Sequence, residues 1–260
     1  MASTEPAAAP LPSSDGIDAI PPTESEPLLG RPGDAQQNPD APMIWNLLLG
    51  TGWIAQIGSI LLVVLVWVGV FTHPTAKLIS PHPLLQSLGV FFLTQAILIL
   101  QPTHTPETKI KGQRAHALLH LLSFSCFVAG IAIIETNKVV NHGQHLHSVH
   151  GYLGVITAAV LLAQYVFGLL MWAVPAAFGG VDRAKATWKY HRYSGYLLLA
   201  LLLATVASAI ETDYVKGMLK IKLWAVSIAI GLVVVGTFSR VQLRKLGIEH
   251  HHRRPRHDVT

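Results

Sequence analysis

Charge is scarce in this 260-residue chain: Asp, Glu, Lys and Arg make up 13% of it, against 51% hydrophobic residues and a mean hydropathy of +0.44. That balance excludes an ordinary soluble domain. Cysteine is almost absent too. The single residue, Cys126, lies inside an apolar run, so no intramolecular disulfide can form and a packing role is expected. No basic flank followed directly by an apolar run opens the chain, so residues 1–42 do not read as a cleaved signal peptide, and the first apolar run is expected to direct insertion. Carboxylates within the apolar runs are missing as well, Glu135 and Glu211 standing at their ends. This argues against a carboxylate-based ion pathway. The sequence after residue 240 is too short to fold a flavin or nicotinamide domain, so such a partner is expected to be a separate protein.

What the chain does have is six stretches free of Asp, Glu, Lys and Arg, near 44–70, 83–101, 116–134, 151–174, 193–210 and 223–239. Each is about long enough to cross roughly 30 Å of hydrocarbon at 1.5 Å per residue. Lipid leaves the backbone no easy partner outside a helix, so the expected fold is all-α, a membrane-spanning six-helix bundle. Residues 1–42 hold nine of the sixteen prolines and seven acidic residues with one basic one, Arg31, and are expected to form a disordered tail. The spanning domain covers 43–240, and a basic tail, 241–260, follows. Within the first tail, Glu24-Ser-Glu-Pro-Leu28-Leu29 has the form of an acidic dileucine address for a vacuolar or other endomembrane compartment. With six spans both termini share a side, and that side carries 14 of the 19 basic residues. The positive-inside bias therefore puts both termini in the cytoplasm. It also accounts for the net charge of +5 through topology and anionic lipid, without nucleic acid.

Four histidines, His82, His116, His150 and His191, stand at or near the N-terminal ends of four successive apolar runs. Successive spans alternate in direction, so the first and third lie toward one face of the bilayer and the second and fourth toward the other. Two imidazoles facing each other across a bundle core suit a six-coordinate haem iron, and two such sites would form an electron conduit. His150-Gly-Tyr-Leu-Gly154 and His191-Arg-Tyr-Ser-Gly195 repeat one pattern in which a glycine lies a turn deeper on the histidine's face, leaving room for a flat macrocycle. Gly168 and Gly130 return to the faces of His150 and His116 farther along and are read as space for the other haem. His120 shares the face of His116, and one helix cannot supply both axial ligands, so His116 is taken as the ligand and His120 as a neighbour in the cavity. In the loop before His150, His142, His145 and His147 are spaced to capture an iron or copper ion as electron acceptor. Lys109, Lys111, Arg114, Arg183 and Lys185 give the cytoplasmic mouth a positive field suited to an anionic reductant.

Ser80-Pro-His82-Pro-Leu-Leu, Arg114-Ala-His116-Ala-Leu-Leu-His120, His147-Ser-Val-His150-Gly-Tyr-Leu-Gly154 and Tyr190-His191-Arg-Tyr-Ser-Gly195 together resemble the cytochrome b561 family, of the fungal type, over residues 44 to 240. The resemblance implies a six-helix bundle whose four central helices bind two b-type haems, the outer by His82 and His150 and the inner by His116 and His191. It implies electron transfer from a cytoplasmic donor, usually ascorbate, to an acceptor such as monodehydroascorbate or a ferric or cupric ion. Many relatives read close to Tyr-Arg after the second span, where this chain has Leu100-Gln101, and often carry a lysine where it has Gln113. The competing reading of the same histidines is a metal or proton transporter, and a third is the membrane subunit of a flavin-linked ferric reductase. A homodimer is compatible with such a bundle.

Overall fold

The computed structural model describes residues 35–38, 40–73 and 78–246, so the dileucine segment and the histidines of the basic tail lie outside it. Every regular element among the described residues is helical: α1 (Gly52–Thr72), α2 (Pro81–Leu100), α3 (Pro106–Val140), α4 (Val149–Ala173), α5 (Val181–Ala209) and α6 (Leu223–Phe238), with short 3-10 or π turns between and beside them. The first five are long and apolar enough to cross a membrane; α6, with 16 residues, is apolar but shorter.

Local chemistry sets the helix starts. Pro81 occupies the first turn of α2, where its missing N–H costs nothing. Thr105 opens α3 through reciprocal bonds with Thr108, with Pro106 and Glu107 behind it, and the Ser148 hydroxyl caps α4 by accepting from the Gly151 amide. Gly179 and Gly180, both at positive φ, turn the chain into α5.

Two expected loops are largely helix. Residues 106–115 and 181–192 extend α3 and α5 before the apolar runs begin, because Lys109, Lys111, Arg114, Arg183 and Lys185 are good helix formers that lipid excludes and water accepts. At 35 residues α3 is about 52 Å long, well beyond the hydrocarbon. The opposite correction applies to α1, which begins at Gly52 and not near 44, because Gly50 adopts φ 56 and separates it from the 3-10 turn Met43–Leu47.

The helices pair as α2 with α3, α4 with α5, and α1 with α6 and α2, while the α2–α3 and α4–α5 hairpins approach each other far less closely. The apolar core runs through Leu62, Leu93, Phe127, Leu198, Leu199, Leu203, Val226 and Val233. Small residues let α1 and α6 touch backbone to backbone: a Cβ on Gly58 would lie 2.7 Å from the Ala229 carbonyl oxygen, and one on Gly236 would strike the Ala55 backbone. Large apolar side chains such as Leu121, Val155, Leu169 and Leu197 face outward, as lipid-exposed surface does. Where α2 ends and α3 begins, buried Arg240 donates from Nη2 to the carbonyls of Asn46 and Leu98 at 2.8 and 3.1 Å. Burial pushes this guanidinium down to about 10, so it remains a cation at neutral pH. Lys245 Nζ closes the same end on the carbonyls of Gln101 and Thr103, 2.7 Å from each. Gln37, from the stretch expected to be disordered, is buried there and accepts from the Asn46 amide at 3.0 Å.

Candidate functional site

Three of the four histidines are tethered to the neighbouring helix in one way. The imidazole Nδ1 of His82 lies 2.8 Å from the Gly130 carbonyl, that of His116 lies 2.7 Å from the Ala96 carbonyl, and that of His150 lies 3.0 Å from the Thr205 carbonyl. A carbonyl only accepts, so each Nδ1 carries the proton and each Nε2 keeps a lone pair for a metal. The partners keep a strict antiparallel register. On α2 the anchored positions are 82 and 96, on α3 they are 130 and 116, and midway the Ser123 hydroxyl donates to the Gly89 carbonyl at 2.8 Å. The second hairpin repeats the spacing: His150 meets Thr205, and fourteen residues on, Gln164 Nε2 donates to the His191 carbonyl at 2.7 Å. The chain thus holds two levels, about 21 Å apart at 1.5 Å per residue, each served by both hairpins.

At one level His82 and His150 face each other across the gap between hairpins, with ring centres 6.3 Å apart. Two imidazoles sharing one metal ion at about 2 Å per nitrogen put their ring centres about 6 Å apart. Beside His150, a Cβ on Gly154 would meet nothing within 4 Å. The donor set, its spacing and the open space fit a haem.

At the other level His116 packs edge-on against His120, with centres 4.3 Å apart, and His120 packs in turn against Tyr165 at 5.3 Å. The Tyr165 hydroxyl donates to Ser123 at 3.2 Å. His191 stacks on Phe167 and fills the place of a side chain at Gly168, where a Cβ would lie 2.9 Å from its Cε1. The Nδ1 atoms of His120 and His191 are buried without a protein partner. Buried orphan nitrogens are rare in native folds, and here they leave donors or acceptors free for a bound group.

Gly168 does lie at the level of His191, as its spacing from His150 implies, but the room it gives is taken by the imidazole itself. Gly130 lies at the level of His82, and the Gln86 amide fills its place. Gly195 stands beside Gln164. In the loop, His145 Nδ1 pairs with Glu135 at 2.9 Å, His147 Nδ1 lies 3.0 Å from the Gln144 carbonyl, and His142 adopts φ 51. Among the described residues no three His, Cys, Asp or Glu side chains are grouped to hold a metal ion. Lys109, Lys111, Arg114, Arg183 and Lys185 are exposed on the extensions of α3 and α5, at the end of the bundle nearer His116 and His191. Reading the sequence missed Ser123, Gln164, Tyr165 and Phe167. Only Ser123 left a signal, one heptad from both His116 and Gly130.

Long apolar helices with imidazoles paired in their interior define an integral, multi-pass membrane protein of the haem-binding helical-bundle class. The family model for eukaryotic cytochrome b561 matches residues 81–216, and the chain belongs to that family, which implies haem b. It is 28% identical over 150 residues to a lysosomal membrane ascorbate-dependent ferrireductase of Mus musculus, covering 56% of this chain and 60% of the relative. Against the protein of the same name from Danio rerio it is 30% identical over 140 residues, 53% of this chain and 56% of the relative. Against a transmembrane ascorbate-dependent reductase of Sus scrofa it is 24% identical over 218 residues, 77% and 82% of the two chains. The chain thus spans under two thirds of the first two relatives.

Proposed function

We propose that the protein carries electrons across a membrane through two b-type haems, from a cytoplasmic ascorbate-like donor to an acceptor on the other side. The observation that carries this reading is the facing pair of His82 and His150, each with Nδ1 held by a backbone carbonyl and Nε2 left free. His82 and His150 hold the outer group, and His116 and His191 hold the inner one. His116 is preferred over His120 because it alone of the two has the carbonyl tether that His82 and His150 share. His82 with His150 and His116 with His191 would hold the haems, whose iron would supply reversible one-electron chemistry, and two imidazole nitrogens favour a low-spin centre. The backbone tethers fix the tautomer and orientation of His82, His116 and His150, so these side chains need not reorganise as charge arrives and leaves.

Lys109, Lys111, Arg114, Arg183 and Lys185 attract an anionic reductant to the inner mouth, and the names of the relatives support ascorbate as its class. A ferric or cupric ion, or an organic radical such as monodehydroascorbate, is the acceptor. His142, His145 and His147 lie next to the outer level and would meet an arriving ion first. The lysosomal names of two relatives support an endomembrane location.

The visible spectrum of purified protein tests the reading, together with haem-to-protein stoichiometry. A reducible low-spin b-type spectrum at about two haems per chain is expected. A ratio near one would remove the inner site, and no Soret band after haem-supplemented expression would remove both.

A further inference from the structure

Beyond the end of α5, farther out than the level of His82 and His150, Ile210, Glu211, Lys216, Lys220, Ile221, Lys222 and Leu223 line an open cleft of about 390 Å³. Its composition runs against the topology of the rest of the molecule. Of the five basic residues on the side opposite the termini, three, Lys216, Lys220 and Lys222, fall within seven positions of this segment. Glu211 pairs with Lys216 at 2.6 Å, and no other ion pair is formed by these lysines among the described residues. Lys220 sits at φ 53, a left-handed conformation that side chains with a Cβ adopt at a cost, where it ends the π turn Val215–Leu219. The cleft also meets the start of α6, where the Lys222 side chain caps nothing and its carbonyl accepts from the Ala225 amide at 3.1 Å, while the Leu223 and Trp224 amides find no acceptor among the described residues. The same lining joins these cationic side chains and amides to aliphatic ones, Ile221 and Leu223. Trp224, 68% exposed, and exposed Met218 lie beside them at the foot of an apolar helix.

We propose that this cleft binds the headgroup phosphate of an anionic phospholipid, with the acyl chains lying along Ile221, Leu223 and Trp224. Positive charge and unfilled N–H donors select the phosphate, and the apolar rim selects a lipid over a free oxyanion. The segment is coupled to the outer histidine pair by one direct contact. The Tyr214 hydroxyl lies 2.9 Å from the Ser80 hydroxyl, two residues before His82. A bound lipid therefore braces the loop against the N-terminus of α2.

Native mass spectrometry of the detergent-solubilised holoprotein, titrated with phosphatidic acid, phosphatidylcholine or inorganic phosphate, tests this. Phosphatidic acid should be retained preferentially. The K220Q/K222Q double variant should bind it roughly thirtyfold more weakly, at about tenfold per 1.4 kcal/mol and near 1 kcal/mol per lysine at a membrane surface, with an unchanged haem spectrum. Glu211→Gln, which frees Lys216, should tighten it. Equal retention of phosphatidylcholine, displacement of the lipid by millimolar-range phosphate, wild-type affinity in the double variant, or weaker binding in Glu211→Gln would each overturn the assignment.

Discussion

The imidazoles were legible in the sequence because a bilayer makes them conspicuous: a side chain that costs free energy to bury persists in an apolar run only with a partner. Their tethers were not legible. Gly130, Ala96 and Thr205 serve through backbone carbonyls, which every residue possesses, so the register that aims each ring leaves no mark in composition. His116 and His120 lie on one helical face, so His116 was chosen as the nearer to the membrane boundary, and the Ala96 tether supports that choice. His82→Ala and His150→Ala should each remove the same half of the haem absorbance, and His116→Ala and His191→Ala the other half, as read by pyridine haemochrome content and redox titration. His120→Ala should keep both haems. Loss of the inner one in that variant alone, with His116→Ala retaining it, would reverse the choice.

At the scale of the helix, the apolar runs located all six long elements but not their ends. Hydropathy reports where lipid stops, whereas Thr105, Ser148 and the Gly179-Gly180 turn decide where the helix starts. The shortness of α6 is offset by its close approach to α1. A side chain at Gly58 would have to displace the Ala229 carbonyl and the Val233 amide, each 2.7 Å from the added Cβ. Gly58→Leu should therefore destabilise the protein by about 1–3 kcal/mol. Thermal unfolding followed by circular dichroism in detergent measures this, and Gly231→Ala, whose Cβ meets nothing within 4 Å, serves as the control. Equal stability of the two variants would mean that α6 does not depend on this contact.

For the whole molecule, the 14 to 5 division of basic residues predicts that both termini lie on the cytoplasmic side. Tags at either end should be digested by protease added to the cytoplasmic face of sealed vesicles and survive protease on the other. Protection of only one tag would leave an odd number of crossings and break the alternation on which the histidine pairing depends. The assembly of the hairpins into two matched levels was only partly visible beforehand. The sequence shows four histidines in alternating order, but the common fourteen-residue step emerges only when both hairpins are laid in register.

If the protein carries electrons between two haems as proposed, that step would also make the transfer sensitive to voltage. An electron passed between the two levels traverses about 21 Å of a roughly 30 Å insulator and moves negative charge with no accompanying ion. At 2.3 kcal/mol per charge per 100 mV for a full crossing, about two thirds of the field corresponds to about 1.6 kcal/mol, a shift of roughly tenfold in how the electron divides between the levels. In sealed vesicles clamped with valinomycin and potassium, a potential negative on the cytoplasmic side should favour the outer centre by that factor, and sustained turnover should stall unless a compensating cation follows the electron. A distribution indifferent to the clamp would place both centres at the same electrical depth. In that proposed role, the spacing of a few hydrogen bonds along two helices would make the protein a small electrical generator, whose output depends on the ion permeability of the membrane around it.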